Sequence, residues 1–293
     1  MTNEEKAVIR TALSAYIKKA SAKSAWNFMR VMSPAFAVGI LAVALGAGIT
    51  RAAENALPGD ALFPIKVVKE AAFVALAQGA EEKIAREAGL ARKRLEEISQ
   101  LAAENRLTET AATAAKDNLV THITNAQMRI NLLAEAGNSP RAAELNSGIE
   151  STLTAYGKIL DWKGVKELAA MVVQQADAAA AVRTKTERKA AEGRQAEKSE
   201  SVRKELERDI EETEKNIRDT KPKAYKTAPA TPASMEAGRI LESAEQNAAE
   251  SRLKIKTDSW GDAFLLQQES KRKTEEARVL IEADTTTKIN LPL

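Results

Sequence analysis

The stretch "IAREAGLARKRLEEISQLA", residues 84–102, decides the fold class. Ile84, Ala88, Ala91, Leu95, Ile98 and Ala102 recur at alternating spacings of four and three. That rhythm lays them on one stripe of an α-helix, with Arg, Lys and Glu on the remaining faces. A half-buried strand would alternate at every second residue, and this stretch does not. The same rhythm recurs downstream. Leu119, Ile123, Ala126, Ile130 and Leu133 form a second stripe, and Leu145, Ile149, Tyr156 and Leu160 a third. "NRLTE" (105–109) interrupts the first two, with Thr108 placed to cap the next helix; "AGNSPRAAE" (136–144) interrupts the second and third. Connections this short imply antiparallel neighbours, so residues 51–162 are predicted to form an up-down-up bundle.

Further along, "LDWKGV" (160–165) reads as a corner. From Lys163 to Asp219 no proline appears, and the segment reads as one long charged helix. Its second half carries a thin seam of Val202, Leu206, Ile210, Thr213 and Ile217. So narrow a seam suits a helical hairpin or coiled-coil contact, with a second copy of the chain as one partner it could take. "TKPKAYKTAPATPAS" (220–234) reads as a proline- and alanine-rich linker. Residues 235–293 return to helix and end in a tail. Ile240, Leu241, Ala244, Ala248, Phe264, Leu265, Leu266, Ala277, Leu280 and Ile281 would fold back on the charged helix.

Upstream, "VMSPAFAVGILAVALGAGIT" (31–50) is free of charge and bracketed by Arg30 and Arg51. About 20 apolar residues cross a bilayer as a helix. The alternatives are a buried core helix and a cleaved signal peptide, but Arg51 falls where a small-residue cleavage site would stand. Residues 1–30 form a basic amphipathic leader with Ile9, Leu13, Tyr16, Ile17 and Ala20 on one stripe. The leader carries net +4, which leaves −1 for the remainder of a chain of net charge +3. A nucleic-acid binder would carry its positive charge as a patch on the folded body, so none is expected as a partner. Lys18, Lys19, Lys23 and Arg30 place the N-terminus inside and the bulk of the chain outside the cytoplasmic membrane.

Between span and bundle, Leu57-Pro58-Gly59-Asp60 is a turn signal: proline presets φ and glycine accepts positive φ at the next position. Asp60 can cap a following helix, and Pro64 suits its first turn. Leu57, Pro58, Gly59, Asp60, Phe63, Pro64 and Lys66 are therefore assigned as a structural corner, with Leu62 and Ile65 packing alongside.

"LPGDALFPIKVVKE" (57–70) resembles the LPGD-x-LYP-[VI]-K signature of the bacterial "domain of unknown function 5667" family. Phe63 stands where that signature has Tyr, which removes a hydroxyl. "EEKIAREAGLARKRLEEISQLAAENRL" (81–107), "NLVTHITNAQMRI" (118–130), "ELNSGIESTLTAYGKIL" (144–160), "NEEKAVIRTALSAYIKKA" (3–20) and "WGDAFLLQQESKRKTEEARVLIEA" (260–283) are similar to helices of that family. The resemblance covers roughly residues 1–160 and 255–283. It implies a membrane-anchored extracytoplasmic helical protein, laid out like anti-sigma-type regulators, with a protein partner and no catalytic residues.

Cysteine is absent and His122 is the single histidine, which removes thiolate chemistry and histidine-rich metal sites. His122 flanks the second stripe, where it reads as a bundle-edge residue, with pH sensing as the sharper alternative. Glu81/Glu82, Glu96/Glu97, Glu211/Glu212 and Glu275/Glu276 are adjacent pairs that point about 100° apart on a helix, and are expected on solvated surface. No phosphate loop, nucleophile elbow or zinc motif is present. The expectation is an all-α, non-enzymatic chain without metal or cofactor: a transmembrane helix, an antiparallel bundle and a coiled-coil-like extension. Its function would be envelope sensing or protein interaction; the alternative is a helical scaffold released by signal cleavage.

Overall fold

The computed structural model describes residues 53–226 and 230–287. The leader 1–30, the apolar run 31–50 and the end of the tail lie outside them. Among the described residues no helix is long and apolar enough to cross a membrane, and no strand occurs.

Eight helices are described, in the order α1 Phe63–Ala75, α2 Gly79–Ala103, α3 Glu109–Glu135, α4 Ser139–Trp162, α5 Lys166–Ala196, α6 Glu200–Tyr225, α7 Pro232–Lys256 and α8 Trp260–Thr287. The chain divides into two compact units. In the smaller, residues 53–56 and 64–73 are described. There Lys66 Nζ donates to the Ala56 carbonyl at 2.8 Å, and Lys69 pairs with Glu54. The Lys69 ammonium also lies 5.8 Å from the Phe73 ring centroid.

The larger unit holds residues 57–63 and everything described from Val74 onward. It is built on three hairpins, α2–α3, α4–α5 and α7–α8, with α8 also packed on α4, α5 and α6. The three predicted stripes meet in one core: Ile84, Leu95 and Ile98 from α2, Leu119, Ile123 and Ile130 from α3, Ile149, Tyr156 and Leu160 from α4. The expected seam of α6, from Val202 to Ile217, is buried in full.

The extension, however, is not separate from the bundle. Residues of α5, α6, α7 and α8 join the same core as α2, α3 and α4. The reason is alanine. Ala169, Ala176 and Ala179 give α5 a buried face of small residues, and Ala237, Ala244 and Ala277 do the same for α7 and α8. Alanine contributes little to a hydrophobic pattern, yet it lets helices approach closely. Small polar residues join at these contacts. Asn146 Nδ2 donates to the Ala179 carbonyl, Ser270 Oγ to Ala244 and Ser251 Oγ to Ala263, each at 2.7 Å. These bonds satisfy carbonyls that the helix ladder already uses once, and they lock axial register.

Three boundaries differ from expectation. The stretch 235–283, read without a break, turns at 257–259, where α7 ends at Lys256 and α8 opens at Trp260. The long charged helix breaks at 197–199, and Ser199 caps a new helix by accepting from Val202 N. The break is held from outside. Gln195 accepts from Gly261 N at 3.1 Å and donates to the Asp258 carbonyl at 3.3 Å, while the Arg194 guanidinium stacks 4.1 Å from the Phe264 centroid. The α7–α8 turn thus docks on the end of α5 and closes a second core of Ala190, Leu206, Ile210, Ile255, Trp260 and Phe264. The linker is also shorter than 220–234. α6 runs on to Tyr225 with Pro222 in its last turn, and α7 opens at Pro232 with a capping box between Thr231 and Ser234. Thr220 and Ala224 continue the buried seam of α6, and their burial outweighs the one backbone bond that proline removes.

Helices α2, α3, α4 and α7 end alike. Asn105, Gly137, Gly164 and Asp258 sit at positive φ, and the next residue's N–H reaches back to the carbonyl five positions earlier. These are Schellman closures, with asparagine and aspartate doing what glycine does at the other two. Gly164 takes φ 77°, and nothing lies within 4 Å of where a Cβ would stand. The Gly164→Ala variant should therefore lose about 1 kcal/mol from backbone strain alone, read as a lower urea midpoint with an unchanged m-value. No loss would mean that the corner adopts another conformation.

Candidate functional site

Two polar constructions stand out from the helical framework. The first is the predicted corner. Leu57 to Asp60 close a turn in which Asp60 N donates to the Leu57 carbonyl at 2.9 Å and Gly59 takes φ 95°. Asp60 acts differently from the simple helix cap expected of it. Its Oδ2 accepts from Leu57 N at 2.8 Å, and its Oδ1 pairs with Arg106 at 3.1 Å. Leu57 packs on Leu101 and Ala111, and a Cβ on Gly59 would stand 3.3 Å from the Ala111 Cβ. Phe63 is buried under the fully buried Arg94, whose guanidinium carbon lies 5.0 Å from the ring centroid. A cation at that distance interacts with the ring face and needs no tyrosine hydroxyl. Pro64 and Lys66 belong to the smaller unit, where Lys66 is 3% exposed and holds Ala56 as described.

A branched residue at Gly59 meets both penalties, positive φ and the Ala111 contact. Gly59→Val is expected to cost at least about 2 kcal/mol, and Asp60→Ala roughly 1 kcal/mol for the lost Leu57 bond. Thermal unfolding that ranks the two in the opposite order would show that the turn is not held as described.

The second construction is a cluster of charges between α4, α5, α7 and α8. Arg183 Nε and Nη2 both donate to Glu150, and Nη1 donates to Glu187. Glu150 is shared: its Oε1 also lies 3.5 Å from Arg272 Nη1. Arg272 Nε donates to Glu269 at 3.0 Å, and its Nη1 stands 3.8 Å from Glu276. Lys158 Nζ donates to Glu276 at 2.8 Å and to Glu236 at 2.7 Å. Lys273 Nζ donates to Ser243 Oγ at 2.8 Å and lies 3.5 Å from Glu269. Glu150, Glu187 and Glu276 are all buried.

Burial sets the electrostatics. It pushes the Glu187 carboxyl up to about 7, against the pull of Arg183 and with added repulsion from Glu150 and Glu269. Burial also works against the Lys158 charge, but Glu236 and Glu276 outweigh it and keep the ammonium above the ordinary lysine range. Beside Lys158, Arg239, Ser243, Arg272, Lys273 and Glu276 line an open groove of about 300 Å³.

The expectation of solvated carboxylate pairs needs correcting at two places. Glu97 is buried beside Arg94, and Glu276 is buried in the cluster. In each pair one member faces inward because neighbouring helices cover that side, which a single helix cannot reveal. His122 is tied in place. Its Nδ1 lies 2.6 Å from Glu87 Oε2, and Asn125 Nδ2 donates to Glu87 Oε1 at 3.2 Å. This makes it a bridge between α2 and α3 at the edge of the core.

Sequence reasoning missed Arg183, Glu187, Glu150 and Arg272. Part of the signal was present, since Arg183 and Glu187 are four apart, as are Arg272 and Glu276. Such pairs are common on exposed helices, and only packing makes them interior. Comparison of the chain with profiles of protein families, with curated proteins and with solved structures finds no match in any of the three.

Proposed function

We propose that this chain is a non-catalytic, membrane-anchored helical protein whose extracytoplasmic body senses a ligand or binds a protein in the envelope. The observation that carries the reading is the uncharged run 31–50 between Arg30 and Arg51, followed at once by the LPGD corner. The run is of spanning length, and the basic leader favours the inside. The corner's tight turn suits a chain that must leave an anchor and enter a bundle. The similarity of residues 57–70 to the "domain of unknown function 5667" signature points the same way, and an anti-sigma-like layout is part of this proposal.

The test is fractionation of cells carrying tags at both ends, followed by protease treatment of intact cells. Full-length chain in the membrane, with only the C-terminal tag digested, is the expected result. A soluble mature chain lacking residues 1–53 or so would overturn the anchor and favour a released helical scaffold.

A further inference from the structure

We infer that the far end of α5–α8 is a cap that opens separately from the rest of the helical body, hinged on a layer of buried polar side chains, and that loss of a proton from Glu187 loosens it. The two apolar cores do not run into one another along any of these four helices. On α5 the main core ends at Ala179 and the second core begins at Ala190. On α6 the second core ends at Ile210 and the main core resumes at Ile217. On α7 the main core ends at Ala244 and the second is reached at Ile255; α8 leaves the second at Phe264 and joins the main core at Ala277. Apart from Ala248, the buried side chains between the cores are polar, among them Thr186 and Glu187 on α5, Thr213 on α6, Ser251 on α7, and Gln267 and Ser270 on α8.

A polar layer interrupts the apolar contact that would make the two cores unfold as one, so the cap has a local opening of its own. α5 has a place to hinge. Thr186 Oγ1 donates to the carbonyls of Val182 and Arg183 at 3.1 and 2.8 Å, and such back-bonding weakens the helix ladder at that turn. Glu187 is the first acid beyond it. It is buried, and Arg183, one turn back, is its one ion-pair partner among the described residues. Arg183 turns Nε and Nη2 to Glu150 and leaves Nη1 for Glu187. α4 faces the site with Glu150, and α8 with Glu269 and with Arg272, which Glu269 and Glu150 already engage. An ionised Glu187 therefore meets two like charges and a share of one guanidinium, away from water. Burial first, and then those carboxylates, hold it up to about 7 against the pull of Arg183. In an open cap the same carboxyl is hydrated and returns to its ordinary 4.5. The closed cap thus binds more protons than the open one; the contribution of Glu187 to closure is complete below 4.5 and is lost as pH rises through 7. Opening uncovers Trp260 and Phe264, both buried in the closed cap, so a rise in pH is turned into exposed apolar surface.

Hydrogen exchange of the full chain in detergent, read by mass spectrometry and corrected for the intrinsic pH dependence of exchange, tests both parts. Amides of residues 188–212 and 255–266 are expected to be less protected than the slowest amides of α2, α3 and α4. Their protection should fall about tenfold between about pH 6 and pH 8. Glu187→Gln, which mimics the protonated acid, should remove that fall while its circular dichroism matches the parent. Cap amides as protected as the slowest amides of α2, α3 and α4 would overturn the separate opening. A parent whose cap protection does not change with pH, or the same fall in the Glu187→Gln variant, would overturn the role of Glu187.

Discussion

Glu187→Gln should make the folded chain more stable above neutral pH and flatten its pH dependence between about 4.5 and 7. The carboxyl is 5% exposed and its folded pKa lies near 7, against 4.5 when free. The folded state therefore binds more protons than the unfolded state through that window, so stability falls as pH rises. The favourable contribution is complete below 4.5 and is lost as pH passes through 7. A shift of this size corresponds to roughly 3 kcal/mol. Glutamine mimics the protonated acid and cannot ionise, so the variant should keep that amount at about pH 8. Urea unfolding of parent and variant at matched pH values gives the difference directly. Parallel pH profiles would mean that Glu187 stays charged in the fold.

A second large effect is expected at Arg183. The Arg183→Met variant leaves Glu150 and Glu187 buried without their shared guanidinium, and removal of one partner from a buried ion pair costs about 3–5 kcal/mol. Glu187 can escape part of this by taking up a proton, and Glu150 keeps Arg272 at 3.5 Å, so the lower end applies at neutral pH. The triple variant Glu150→Met, Arg183→Met, Glu187→Leu removes all three charges. It should recover most of the loss, because apolar groups of similar volume can replace a buried ionic cluster at little cost. Arg272 would retain Glu269 and Glu276. A single variant as stable as the parent, or a triple variant no better than the single, would rule out this account of the cluster.

The interior of this protein mixes helix faces of two kinds. Leucine and isoleucine stripes on α2, α3 and α6 could be read from spacing, and so could the cap at Thr108 and the turn at Pro58-Gly59. Each depends on the residue and its nearest neighbours along the chain. The break at Ser199 and the capping box at Thr231 were also written locally. They were missed because charge-rich helix formers before the first, and prolines before the second, suggested the opposite.

The sequence by itself determined that the described chain is helical, where α2, α3 and α4 end, and which large apolar residues of α2, α3, α4 and α6 go inside; Leu265, expected to fold back on the charged helix, is exposed. The tertiary structure alone decided that α5 through α8 share one core with α2, α3 and α4, and that Arg183, Glu150, Glu187 and Arg272 meet. The physical reason is range. Periodicity and capping act over a few residues of one helix, whereas alanine faces and charged side chains look alike whether solvated or covered. What covers them is another helix, 33 residues away for Glu150 and Arg183 and 121 for Ser151 and Arg272.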